Sequence, residues 1–346
     1  MICKINIRII FCILFTTVIL FSCKNKIDSA EINSANLTAD SLSIKLNSPE
    51  LKGINALLLK DANNAELYFK RASVYMNLNQ LFEAVGDAMR AIKLDSTRAE
   101  YYLILADVYF AQNKTKLSKD LLELIEKKFP ENTEALLKLS ELYFLVKAYQ
   151  KAIDYSNKAL KLNANLAKAY YLKANIYRES GDTSKAISSL ETAIEQDNKF
   201  ENAFFDLGVI YASRKNALAL DYYASAIKLN PKNSATKYAR AKLLQDLVKT
   251  DEAISEYEKI ITENKNCSNC YYNLGAIYLE NKKEYKKALE FFTKAIAADQ
   301  TYKEAYFARG YTYAKLKDKI NAKADYNVCL KLEPNYAPAV QGLNEL

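Results

Sequence analysis

A tyrosine recurs every 34 residues along this chain, at Tyr75, Tyr109, Tyr143, Tyr177 and Tyr211. Leu244, Tyr278 and Tyr313 continue the series at spacings of 33, 34 and 35. A fixed period of this length means one supersecondary unit copied many times, so the 346 residues are set by repeat number and not by one growing core. Three further columns run in phase. Ala72, Ala106, Ser140, Ala174, Gly208, Ala241, Gly275 and Gly310 lie three residues before the first series, and all are small. So are Ala84, Ser118, Ala152, Ala186, Ala219, Ala253, Ala288 and Ala322. The last column is Ala91, Ile125, Ala159, Ala193, Ala226, Ile260, Ala295 and Cys329.

Two antiparallel helices approach closely only where their side chains are small, so these columns mark helix crossings. A tyrosine beside a crossing fills the remaining space and keeps its hydroxyl free for a polar edge. Stretches such as Asn113-Lys114-Thr115 and Ser180-Gly181-Asp182 read as turns that end one helix and cap the next. With only 7 Gly and 5 Pro, breakers are too few for anything but a largely helical chain. Each unit is therefore helix A, turn, helix B, turn, and no unit buries its apolar face without neighbours.

The pattern resembles the tetratricopeptide repeat, with its aromatic, Leu, small and aromatic positions on helix A and its Ala, aromatic, Ala and Pro positions on helix B. Residues 169–198 and 305–334 carry it most fully. The resemblance implies an all-α, right-handed α-solenoid of about eight helical hairpins, at 65–98, 99–132, 133–166, 167–200, 201–233, 234–267, 268–302 and 303–336. Residues 49–64 read as an N-terminal capping half-repeat and 337–346 as a C-terminal capping helix. The sixth repeat departs from the pattern, with Lys237 in place of its first aromatic and Leu244 in place of its tyrosine.

In the family, helix A lines a concave surface that binds proteins or peptides, with its fifth position facing the groove. Here that position reads Phe69, Leu103, Leu137, Tyr171, Phe205, Tyr238, Tyr272 and Phe307. The twelfth position adds Met76, Phe110, Phe144 and Arg178, which makes the N-terminal half of the groove the more apolar. A large apolar surface of this kind marks an interface, and the same aromatics also serve packing between repeats. No lysine stands at a fifth position, so a carboxylate clamp of the kind some members use is not expected.

Residues 1–22 have the layout of an export signal. Lys4 and Arg8 precede an uncharged run from Ile9 to Phe21, too short for a spanning helix. The run ends in Leu20-Phe21-Ser22-Cys23, which resembles the signal of bacterial lipoproteins. That resemblance implies lipid attachment at Cys23, export, and anchoring in the cell envelope; Lys24 in place of Asp points to the outer membrane. Residues 23–48, rich in Ser, Asn, Lys and Asp, read as a flexible tether.

Catalytic signals are weak. Without any histidine, the Ser-His and Cys-His nucleophile pairs and the His-Glu-x-x-His zinc helix are excluded. Ser225 and Ser234 each begin an S-x-x-K without the partner motifs that the penicillin-binding enzymes need. Cys267-Ser268-Asn269-Cys270 is a C-x-x-C at the turn into the seventh repeat, compatible with a disulfide, with simple packing, or with thiol chemistry. No metal, cofactor or nucleic-acid partner is expected: the net charge of +8 is spread along the chain and forms no basic block. The reading is a non-enzymatic scaffold for other envelope proteins or peptides, held at a membrane by its lipid. The alternatives are a thiol-dependent envelope factor using Cys267 and Cys270, or a glycan-binding lipoprotein. The absence of tryptophan weighs against the latter.

Overall fold

A computed structural model describes residues 48–346. Contacts divide the chain into two units, Met1–Thr97 and Arg98–Leu346. The signal, Cys23 and nearly all of the tether lie outside the described residues.

The first unit contains α1 (Pro49–Lys60), α2 (Ala65–Asn77) and α3 (Leu81–Leu94). Ser48 starts α1 by accepting the Leu51 amide on its hydroxyl, and Pro49 occupies the first turn, where its missing N–H costs nothing. Helix α1 buries Leu51, Ile54 and Leu58 against Val74, with Leu67, Tyr68 and Tyr75 packed around them. Between α2 and α3, the Arg71 guanidinium donates to both oxygens of the largely buried Asp87, at 2.6 and 2.8 Å.

The second unit is seven hairpins in sequence: α4 (Ala99–Ala111) with α5 (Thr115–Lys128), α6 (Thr133–Leu145) with α7 (Tyr149–Leu162), α8 (Ala167–Glu179) with α9 (Thr183–Gln196), α10 (Glu201–Ser213) with α11 (Ala219–Leu229), α12 (Ser234–Asp246) with α13 (Thr250–Glu263), α14 (Ser268–Glu280) with α15 (Tyr285–Ala298), and α16 (Lys303–Lys315) with α17 (Lys319–Leu332). Each hairpin also packs on the next, and α18 (Ala337–Asn344) closes the series against α17 and α16. The described residues form no strand. The all-α stacked-hairpin class implied by the repeat is the class observed.

Every member of the three in-phase columns is buried. Where the first column is glycine, the reason is direct. A Cβ on Gly208 would sit 2.5 Å from the Tyr223 ring, one on Gly275 2.6 Å from Phe292, and one on Gly310 2.9 Å from Tyr326. The ring of helix B lies on the bare backbone of helix A, and no larger residue leaves room for it.

The turns have a regularity that the sequence hides. The residue four places after the column tyrosine takes a left-handed conformation in nearly every repeat: Asn79, Asn113, Lys147, Gly181, Lys215, Val248 and Lys317, with Lys283 one place later in the longer seventh repeat. The amide after it returns to the carbonyl of the column residue, as in Lys114 to Tyr109 at 2.9 Å and Asp182 to Tyr177 at 2.8 Å. This is the hydrogen bond of a Schellman-type helix end, for which glycine is the usual residue. Only Gly181 is glycine among these eight; the others accept the strain because stacked helices on both sides fix the turn. Val248 is the least suited, being β-branched at φ 59° and 70 % exposed.

Repeat six restores its missing aromatics by other means. Lys237 pairs with Glu263 at 2.6 Å, and Leu244 is buried against Tyr257 and Leu274. Between repeats six and seven, Asn273 donates to the hydroxyls of Tyr238 and Tyr257, at 2.9 and 3.0 Å. The Tyr257 hydroxyl in turn donates to Gln245 at 3.1 Å.

Gly208→Ala should cost about 1–3 kcal/mol in urea unfolding, because Tyr223 is buried and cannot yield. Gly86→Ala, on an open face of α3, should instead gain about 0.5–1 kcal/mol. Val248→Asn should raise stability by about 1 kcal/mol by relieving the left-handed turn, with an unchanged circular-dichroism spectrum. The tyrosines set an alkaline limit. Burial, helped by the charge of Glu126, pushes the Tyr155 phenol up to about 12, and burial with the charge of Asp206 does the same for Tyr223. Burial also raises Tyr257. Below pH about 10 both folded and unfolded chains keep these protons; above it the unfolded chain loses them first. Stability should therefore fall as pH rises from about 10 through 12. Urea midpoints at pH 8, 10 and 11, with a further rise in phenolate absorbance on unfolding as the buried tyrosines are released, check this.

Candidate functional site

Within the second unit, helix A of the first two hairpins carries one stripe twice. On α4 it is Glu100, Leu103, Asp107 and Phe110; on α6 it is Glu134, Leu137, Glu141 and Phe144. Spacings of three, four and three put each set on one helix face. The two leucines, at the fifth position, are buried to 6 and 5 % exposure. The phenylalanines, at the twelfth, are not: Phe110 is 43 % exposed and Phe144 half-buried. Between them opens a cleft of about 350 Å³, lined by Phe110, Leu122, Leu142, Phe144 and Leu145 and by Asp107, Ser118, Lys138 and Glu141.

Charges rim this apolar space. The Lys138 ammonium lies 2.7 Å from Asp107 and 3.5 Å from Glu134, while Glu141 pairs with Lys168 at 2.9 Å. Burial raises the Asp107 carboxyl above its usual range, even against the hydrogen bond and charge of Lys138. Burial also opposes the charge on Lys138, but the hydrogen bond it donates to Asp107 and the nearby carboxylates outweigh it and hold the ammonium above its usual pKa. The pair is thus partly stripped of water, and the carboxylate is the member that suffers.

The other fifth-position side chains are occupied with packing. Tyr171 meets Phe200 edge-on at 5.0 Å, Phe205 leans on Tyr223 at 6.0 Å, and Tyr238 on Tyr257 at 6.0 Å. Tyr272 lies between Phe292 and Tyr302, and Phe307 between Tyr326 and Tyr336. Each touches its own helix B or the entry to the next repeat, so these rings join repeats and present at most an edge outward. Arg178, at a twelfth position, is 42 % exposed in its side chain and is held by Asn175 at 3.0 Å and by Asp206 at 3.2 Å. In the first unit, Phe69 and Met76 are half-buried on α2. The structure therefore brings Phe110 and Phe144 together at one cleft and divides the remaining expected groove residues between packing and isolated positions. Asn273 was invisible as a structural residue from sequence, since nothing in the period marks it as bridging two tyrosines.

Cys267 and Cys270 form a disulfide across the first turn of α14, from its N-cap to its third residue. Cys270 is completely buried, which keeps an external thiol from its sulfur. Cys329 is a free buried thiol pushed up to about 12 by burial, far from the thiolate form that reactivity needs. Among the described residues no cluster of three or more Cys, Asp or Glu is placed to hold a metal, and no helix is long and apolar enough to cross a membrane.

Sequence comparisons agree with this architecture. The tetratricopeptide repeat family profile matches residues 65–98, 268–302 and 303–336, and related profiles of the same repeat match 103–167 and 174–214. The chain is 27 % identical over 190 residues to human protein O-mannosyl-transferase TMTC1, covering 54 % of this chain and 22 % of that protein. It is 29 % identical over 148 residues to anaphase-promoting complex subunit 3 of Schizosaccharomyces pombe, covering 42 % and 22 %. The chain spans about a fifth of the length of these curated relatives. Among solved structures, the C-terminal part of a TPR repeat-containing protein from Cytophaga hutchinsonii superimposes with a TM-score of 0.61 at 19 % identity, covering 69 % of this chain and 98 % of that one. The period, the buried columns and the profile matches lead to one conclusion: the chain belongs to the tetratricopeptide-repeat family.

Proposed function

We propose that this protein is a non-catalytic scaffold that holds a partner polypeptide against helix A of its second unit, and that it does so from a lipid anchor at Cys23 in a bacterial envelope. The observation that carries the scaffold reading is the cleft between Phe110 and Phe144. In a unit whose fifth-position rings are engaged in packing, two phenylalanines at the twelfth position are left partly in water beside an apolar floor of Leu122 and Leu142. Exposed aromatics around a recess that size anchor partner side chains. The anchoring reading is supported by the charged start, the short apolar run and Leu20-Phe21-Ser22-Cys23.

A photo-crosslinking residue at position 110 or 144, in the intact producing cell, should yield adducts with a discrete polypeptide. The same residue at Ile320, 83 % exposed on α17, should yield few. Adducts from position 320 but not from 110 or 144 would remove the groove from the reading. Cys23→Ser should abolish incorporation of labelled fatty acid and shift the protein from the membrane pellet to the soluble fraction. Continued fatty-acid labelling of that variant would sink the anchor while leaving the scaffold untouched.

A further inference from the structure

The rim of the cleft has a charge pattern that its neighbours lack. Asp107 and Glu141 line the cleft and Glu134 lies 3.5 Å from Lys138; the cations that pair with these three carboxylates are two, Lys138 and Lys168, so the rim keeps an excess of one negative charge. In the next repeat the corresponding stripe on α8 is Lys168, Tyr171, Asn175 and Arg178, without a carboxylate. The acidic character is local to the cleft, in a chain whose net charge is +8. A basic segment would be repelled by the molecule as a whole, so selection for one has to come from this patch.

Two further observations point the same way. Burial holds the Asp107 carboxyl above its usual range despite its pair with Lys138 at 2.7 Å, and a further cation nearby would favour its charged form. The Glu141–Lys168 pair is about half exposed, with side chains at 39 and 52 %, and exposed pairs of this kind are weak enough for an incoming cation to displace. The aromatic walls add to the preference, since phenylalanine faces attract ammonium and guanidinium groups.

We propose that the cleft seats one large apolar side chain of a partner polypeptide whose neighbouring residues are lysine or arginine. This rests on the scaffold reading and names the partner's chemistry. The apolar side chain fills the space between Phe110, Phe144 and Leu145 above Leu122 and Leu142, and the flanking cations reach Asp107 and Glu141 on its lining and Glu134 beside Lys138.

Fluorescein-labelled peptides of about twelve residues, each with a central Leu-Phe pair flanked by Lys, Ser or Glu, test this by anisotropy on the full-length chain at low and high salt. The Lys-flanked peptide should bind about tenfold more tightly than the Glu-flanked one, and added salt should erase most of that margin. Glu134→Gln with Glu141→Gln should cut the margin to about threefold or less, with an unchanged melting temperature because both side chains are substantially exposed. Phe110→Ser should weaken every peptide alike. Equal or tighter binding of the Glu- or Ser-flanked peptide, still sensitive to Phe110→Ser, overturns the inference and leaves the scaffold reading standing. No binding by any of the three, together with no adducts from positions 110 and 144, overturns both.

Discussion

The fold depends on close contact between a helix A backbone and a helix B side chain. At Gly208, Gly275 and Gly310 a tyrosine or phenylalanine ring lies within 3 Å of where a Cβ would be, and the alanines of the same column are buried. Dispersion at such contacts is short-ranged, so the hairpin gains it only at one separation and one register. Repeating that contact sets each hairpin as a rigid block. The stack then follows from the apolar surface that each block leaves uncovered.

Within each block the helices meet through apolar or polar joints, and the polar joint at Asn273 crosses between blocks, to Tyr238 and Tyr257. Stacked rings such as Tyr143 on Tyr155 and Tyr211 on Tyr222, each about 5.5 Å apart, sit where other repeats use a guanidinium held by a carboxylate, as Arg309 by Asp325. Asn273 between two tyrosine hydroxyls is a third solution. A buried polar group without its partner costs more than the bond returns, so these joints specify which faces meet more than they add stability. The disulfide at the start of α14 ties N-cap to third residue, the span that Asn64, Asn132 and Asn233 bridge by a hydrogen bond from side chain to amide.

The same packing logic accounts for where a partner can bind. Rings at the fifth position of helix A lie close enough to helix B and to the next repeat to be used up in joining them. The twelfth position lies about two turns further along the same face, and there Phe110 and Phe144 stay partly in water. In the proposed reading, binding capacity is what remains after packing has taken its share, at the leftover apolar surface beside Asp107 and Glu141.

Sequence alone determined the repeat, its boundaries and the buried columns. A period of 34 with small residues in fixed phase admits few other ways to bury apolar surface, and the three repeats matched by the first family profile begin and end at the expected residues. It also placed Phe110 and Phe144 on the helix face that could hold a partner. Only the tertiary structure decided which of the large groove residues were free. Exposure depends on neighbours from other repeats, and no local pattern tells a tyrosine that stacks on the next hairpin from one that faces water. The left-handed turns were hidden for a related reason. Lys147, Lys215 and Val248 have no intrinsic preference for that conformation and adopt it because the helices on either side leave no other path.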